Sequence, residues 1–225
     1  MKLFIFDTET TGLDHRRHGI IQLAAQVRIH GTVEDEFELF ARPEDLMVED
    51  QALAINERTR EEIDTWPPRR MFHQCLLARL SKWIDRYNSA DKLTPVAYNG
   101  WFDYQMLSEE FARQGDKYFG SWFNHTLIDP LPVIRFLQTV GGFRDLPNCR
   151  LATVADWMGI DTAGAHDAMA DVRMLAAVVD GLREMVSVKN QHEARRTIMG
   201  EDEPPPKLEM LTTKDLNLML KGERP

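Results

Sequence analysis

Phe6-Asp7-Thr8-Glu9-Thr10-Thr11-Gly12-Leu13 follows directly on Lys2-Leu3-Phe4-Ile5, and the reading of this stretch decides the fold. Residues 2–7 read as a buried strand, an unbroken apolar run that ends in acids. Period-two alternation puts the Asp7 and Glu9 carboxylates on the same side of that strand. Two like charges side by side cost energy unless a cation joins them, so the pair asks for a metal. A lone Asp-x-Glu more often just ends a strand in solvent. The pair therefore gains meaning only with partners elsewhere in the chain.

Outward from this strand, Thr11-Gly12 reads as a turn. A second strand spans residues 19–27, and His30-Gly31-Thr32 turns into a third, the alternating Glu36-Phe37-Glu38-Leu39-Phe40. Short turns between three strands give an antiparallel meander. Helical periodicity then takes over, with short segments at 52–55 and 59–63. A long amphipathic helix at 71–87 aligns Phe72, Leu76, Leu80, Trp83, Ile84 and Tyr87 on one face. A fourth strand is expected at 93–98 and a helix at 102–114. A short fifth strand at 125–129, helices at 131–138 and 153–158, and a last long helix at 168–185 complete the series. Three strands followed by alternating helix and strand make an α/β fold with a mixed five-stranded sheet flanked by helices. There is no internal repeat. Residues 1–186 form one expected domain. Residues 187–225 differ in character, with Glu201-Asp202-Glu203-Pro204-Pro205-Pro206 as a linker ahead of an apolar-rich tail.

Composition narrows the function classes. The apolar start is too short and too acidic for a signal peptide or a spanning helix, so no membrane role is expected. Cys75 and Cys149 are far apart with no Cys-x-x-Cys, against both a disulfide framework and a zinc cage, and in keeping with a reducing cytoplasm. A net charge of -9 is unusual for a chain that grips phosphates. Divalent cations on a carboxylate cluster reverse the local sign, and basic pairs at Arg16–Arg17, Arg69–Arg70 and Arg195–Arg196 concentrate positive charge.

Two further stretches supply partners for Asp7 and Glu9. In Tyr98-Asn99-Gly100-Trp101-Phe102-Asp103 an apolar strand runs into a turn and a helix, a place where α/β proteins gather ligands, although Asp103 also suits a helix N-cap. In His166-Asp167-Ala168-Met169-Ala170-Asp171, Asp167 is placed to cap the last long helix, Asp171 projects from that helix and His166 precedes it. Four carboxylates suit two hard divalent ions such as Mg²⁺ or Mn²⁺. Two such ions about 4 Å apart activate a water and stabilise an in-line phosphoryl displacement, and a histidine titrating near neutrality can take the proton of that water.

These three stretches resemble the three motifs of the DEDDh, or DnaQ-like, 3′→5′ exonuclease superfamily, which includes the proofreading subunit of bacterial DNA polymerase III. The resemblance covers residues 1–185, in the right order, and implies a ribonuclease-H-like fold. It further implies that Asp7, Glu9 and Asp171 hold a first metal, with Asp7 bridging to a second near Asp103, and that His166 is the general base. Thr10, Thr11, Gly12 and Leu13 would line the terminal nucleotide, with Leu13 as an apolar wedge and Asn99 and Phe102 near the scissile end. Trp101 would offer a face to a base, although core packing stands level with substrate contact for Trp101 and Phe102. The substrate implied is a single-stranded 3′ end, with DNA ahead of RNA. An RNA-end trimmer is the alternative, and a non-catalytic scaffold is disfavoured because all five catalytic positions are intact. The same resemblance suggests that the tail binds a polymerase or other protein partner. Two departures concern substrate preference rather than the metal centre: Gln22 stands where many members have Glu, and Asn56 where many have His followed by Gly.

Overall fold

The computed structural model describes residues 1–165 and 167–199, with side chains described as far as residue 185. Along the chain run β1 (Lys2–Thr10), β2 (Ile20–Ile29), β3 (Thr32–Phe40), α1 (Asp50–Ile55), α2 (Arg60–Asp64), α3 (Arg69–Leu80), β4 (Thr94–Val96), α4 (Trp101–Arg113), α5 (Phe119–Trp122), α6 (Pro130–Thr139), α7 (Leu151–Trp157) and α8 (Ala168–Met199). By compactness the chain divides into Met1–Leu182 and Arg183–Pro225. The sites described below belong to the first unit. Of the second, the described part is the helical stretch ending at Met199.

β1 lies inside a mixed sheet of order β3-β2-β1-β4, antiparallel to β2 and parallel to β4. The meander forms because His30 and Gly31 both take positive φ, 54° and 94°, the geometry of a two-residue hairpin turn. Interior position explains the uninterrupted apolar run of β1, since both of its faces are covered. Phe4 and Phe6 point into the larger core, with Leu23, Val27, Phe72, Leu76 and Phe111. Ile5 faces the opposite way and packs on Ala24, Val96, Met169, Val172 and Leu175, so α8 covers that face. Asp7 and Glu9 continue the Ile5 row.

Three expectations are corrected. The fifth strand expected at 125–129 is reduced to one isolated parallel bridge, Val96 with Ile128, next to another of Leu93 with Phe123, so among the described residues the sheet has four strands. Backbone bonds to β4 form on both sides of the gap, from the Asn124 N–H to the Leu93 carbonyl (2.8 Å) and from the Ile128 N–H to the Pro95 carbonyl (2.9 Å), and residues 125–127 bulge between them. The long helix expected to reach Tyr87 stops at Leu80. There Ser81 Oγ donates to the Ala78 carbonyl, and Trp83 and Ile84 are carried by a turn instead. Asp103 is not an N-cap. Gly100 holds that position, and Asp103 stands in the first turn of α4.

A buried ion pair fixes the frame around the strand ends. Arg69 in α3 donates to Glu110 in α4 and to the Ile20 carbonyl (3.1 Å), tying both helices to the start of β2. Losing one partner of such a pair strands a buried charge. The turn before α4 is equally tight. A Cβ built on Gly100 would stand 2.8 Å from both the carbonyl carbon and the oxygen of Ala97, which is backbone and cannot swing aside. Gly100→Ala is expected to destabilise the protein by about 1–3 kcal/mol, as overpacking does, and urea unfolding of both proteins measures it.

Candidate active site

β1 carries its two acids just past the last residue it pairs with β4, Ile5 opposite Val96. Ligands of α/β sheets gather beyond such strand ends. Glu9 lies opposite Gln22, and the register slips between Glu9 and Thr10. From the larger-core side α4 brings up Asp103, which is 7% exposed. Its Oδ1 accepts the Thr8 backbone N–H (3.2 Å) and the Thr8 hydroxyl (2.6 Å). From the other face α8 presents Asp171 in its first turn. One strand tip thus receives carboxylates from three separate parts of the sequence.

Electrostatics show the convergence most directly. The Asp7 carboxyl is raised well above its ordinary range, first by burial and then by the like charges of Asp103, Glu9 and Asp171. Asp103 is pushed up to about 6, chiefly by burial. The Thr8 bonds and its own backbone N–H hold it down, and the charge of Asp129 adds to the rise. Among the described residues no group of three or more His, Cys, Asp or Glu side chains stands close enough together to hold a metal ion. The donor set itself is all oxygen, close to four carboxylates, and destabilised by its own charge. It fits hard divalent cations.

Clefts border this cluster. One of about 260 Å³ is lined by Glu9, Thr10, Gly12, Leu13, Asn56 and Phe102, among others. Leu13 is 80% exposed at its mouth, and Asn56 Nδ2 donates to the Thr10 carbonyl (3.0 Å). A second, of about 370 Å³, joins Glu9 and Gln22 to Ala165 and Asp167. A third, of about 530 Å³, runs from Asp171 and Asn99 past Arg135 and Arg150. Thr11 is fully buried and lines none of these three. Its N–H and hydroxyl bond to Gly19, which closes the turn between β1 and β2. Trp101 is 61% exposed and stacks on Tyr104 (5.8 Å) rather than joining the core. Gln22 is tied to Glu38 (2.7 Å) and Arg58 (3.2 Å) behind Glu9. His166 lies outside the described residues. Asp167, beside it, does cap α8, accepting the Ala170 N–H (3.0 Å).

Two supporting residues escaped the sequence reading. Asp129 accepts the Asn99 N–H (3.0 Å), the Gly100 N–H (3.2 Å) and the Leu131 N–H (3.0 Å). A single carboxylate thereby anchors the turn ahead of Asp103, where Asn99 takes φ 54°, and starts α6. Its signal was Asp129-Pro130, an N-cap followed by proline at the first helical position. His18 is buried under Gly12, whose missing Cβ would stand 2.6 Å from the ring. Its Nδ1 accepts from the Asp14 N–H (3.1 Å), and its Nε2 stands 3.2 Å from Glu49. No local pattern announces that contact.

Comparison with known proteins gives a consistent result. A family model described as Exonuclease, RNase_T, matches residues 4–179. The PolC-type DNA polymerase III of Staphylococcus aureus is 28% identical over 203 residues, 88% of this chain but only 13% of that protein. The E. coli exonuclease I–single-stranded DNA complex in its zinc-bound form superposes with a TM-score of 0.69 at 20% identity, covering 82% of this chain and 40% of that one. Exonuclease I bound to a dT13 oligonucleotide gives 0.68 at 20% identity, over 87% and 44%. At that identity the structures establish a common fold. This chain spans well under half of each of these proteins.

The crowding of charge has a measurable cost. A carboxyl whose folded pKa is raised stabilises the fold only as pH falls through that raised value, and above it the buried charge is a penalty. Asp7→Asn removes the penalty, so in EDTA at pH 7 it is expected to raise Tm by about 2–4 °C or more, the shift worth ~1 kcal/mol in a chain of this size. The advantage shrinks as pH falls from 7 toward the ordinary carboxylate range, because the raised Asp7 carboxyl of the native protein is protonated before it would be in the unfolded chain. Thermal scans of both proteins across that range test it.

Proposed function

Because the chain belongs to the exonuclease family, of the DnaQ-like superfamily, we propose that it hydrolyses phosphodiesters at the 3′ ends of single-stranded or frayed DNA, releasing nucleoside 5′-monophosphates. One observation carries this reading: the charges of Asp103, Glu9 and Asp171 all act on Asp7, at a strand end bordered by a nucleotide-sized cleft. The DNA preference draws on the relatives, a DNA polymerase III and exonuclease I in complex with single-stranded DNA.

Asp7, Glu9, Asp103 and Asp171 would hold two divalent ions, Mg²⁺ or Mn²⁺. Bound there, such ions supply an activated water and neutralise charge on the phosphoryl group. Asp7, central among the acids, would bridge. Asp103 is steadied by both Thr8 bonds, so its carboxylate keeps one orientation as charge develops. Thr10, Gly12, Leu13 and Phe102 would enclose the terminal nucleoside, Leu13 as the exposed apolar wedge. Asn99, held by Asp129, would approach the scissile end. His166 would take the proton of the attacking water at its imidazole nitrogen. Residues 1–186 are the catalytic domain on this reading. Residues 187–225 would tether a protein partner such as a polymerase, and the stretch 200–225 lies outside the described residues. Among the described residues no helix is long and apolar enough to cross a membrane.

Asp171→Ala is expected to abolish 3′-end hydrolysis while the far-ultraviolet circular dichroism is retained. His166→Ala should slow single turnover by about two to four orders of magnitude. End-labelled single-stranded DNA, RNA and mismatched duplex, each with Mg²⁺, Mn²⁺ or EDTA, measure these outcomes. Equal hydrolysis by wild type and Asp171→Ala would sink the reading.

A further inference from the structure

Far from the acids, the start of β4 borders a cleft of about 500 Å³ lined by Arg86, Tyr87, Ser89, Lys92, Tyr118 and Ser121. α5 closes it against the sheet, with the Leu93 N–H donating to the Trp122 carbonyl (3.0 Å). Leu3 pairs with Thr94 here, so the cleft flanks the opposite end of β1 from Asp7. Leu3 and Asp7 are four residue steps apart along the strand, roughly 13 Å at the usual rise.

Its chemistry is unlike the rest of an acidic surface. The Arg86 guanidinium lies 5.0 Å from the ring centre of Trp122, 5.1 Å from Tyr118 and 5.5 Å from Tyr87. Such stacking fixes a planar cation without consuming its charge. Among the described residues neither Arg86 nor Lys92 forms an ion pair. The acids nearest in sequence are engaged elsewhere: Asp91 with Lys2 (2.6 Å), Asp116 facing His73 (3.3 Å), and Asp85 accepting the Tyr87 N–H (3.0 Å). Tyr87 is 88% exposed and Tyr118 60%, so aromatic faces stand in solvent beside two unneutralised cations.

Ring contacts join α4, which carries Asp103, to α5, which closes the cleft. Trp101, two residues before Asp103, stacks on Tyr104 with planes 14° apart. Tyr104 meets Phe119 edge-on at 5.3 Å, and Tyr118, adjacent in sequence, leads to Arg86. Aromatic faces interleaved with cations are what a single strand uses, bases stacking while phosphates meet charge. A duplex offers no free base faces for these rings, and the peptide alternative is left to the competition arm of the test.

We propose that the Arg86–Lys92–Tyr118 cleft is a holding subsite for single-stranded nucleic acid, taking nucleotides on the 5′ side of a 3′ end seated at the acid cluster, with Trp101 and Tyr104 along the way. The proposal rests on the reading of that cluster as a nuclease centre. Such a subsite would let a chain of net charge -9 hold a long strand that its catalytic carboxylates repel.

The test uses the full chain, an Arg86→Ala/Lys92→Ala variant, and labelled oligothymidylates of about 20 and about 4 nucleotides. Binding is followed by anisotropy in EDTA, and hydrolysis with Mg²⁺. The variant is expected to bind the long strand about tenfold more weakly, with the short one affected about twofold or less. Its log–log salt slope should fall by about 1.4, the value for two lost phosphate contacts on a single strand. Because Arg86 supports Trp122, Lys92→Glu and Tyr118→Ser serve as peripheral variants, each weakening the long strand in the same direction. Equal loss on both lengths, an unchanged salt slope, or competition by polyglutamate as strong as that by oligonucleotide would overturn the subsite. Absence of hydrolysis by the wild type with Mg²⁺ or Mn²⁺, alongside the length-dependent binding loss, would instead overturn the nuclease reading and leave the subsite standing.

Discussion

Negative charge gathered at the tip of one central strand is the constraint that the surrounding architecture serves. Carboxylates at Asp7, Glu9, Asp103 and Asp171 raise one another's cost, and desolvation raises it further. Within the cluster only the hydrogen bonds to Asp103 offset that cost. The cluster is held by forces acting elsewhere: the Phe4 and Phe6 core on one face, the packing of Ile5 and Ala24 against α8 on the other, and the buried Arg69–Glu110 pair beside the strand end. The molecule stores the repulsion as a demand for cations, a trade of stability for function seen at many active sites.

Positioning is delegated outward in steps. Thr8 orients Asp103 from within β1, while Asp129 fixes the Asn99–Gly100 turn from which α4 departs. The same Asp129 carboxylate raises the proton affinity of Asp103. Asp167 performs a parallel service at the start of α8, three residues ahead of Ala170. Each acid is therefore tied to the first turn of a helix or to the strand, rigid elements that hold geometry better than free loops.

Much of this was readable from the chain alone. The parity of Asp7 and Glu9, the hairpin at His30-Gly31 and the amphipathic start of α8 follow from local periodicity, and the three motif stretches pointed to the family that the comparisons support. What local pattern missed was decided at long range. Residues 125–129 looked like a strand, but only Ile128 of them bridges to β4, because the chain bulges between the bonds of Asn124 and Ile128. Trp83 and Ile84 kept helical spacing past Leu80, yet both are delivered by a turn, because burial needs a place and not a particular backbone route. The cage around Arg86 draws on Tyr87, Tyr118 and Trp122. Two of those rings lie some thirty residues away, beyond the reach of any window.

The alternation along β1 has a consequence for how such a segment can change over time. Phe4, Phe6 and Thr8 alternate with Ile5, Asp7 and Glu9, so the apolar members Phe4, Ile5 and Phe6 can be exchanged for one another's kind while the pattern stands. Chain length there cannot drift. Inserting or deleting a single residue ahead of Asp7 would exchange the two rows, sending carboxylates into the phenylalanine core and an aromatic ring toward the cleft beside the acids. The lineage of this strand should thus be rich in exchanges and bare of gaps.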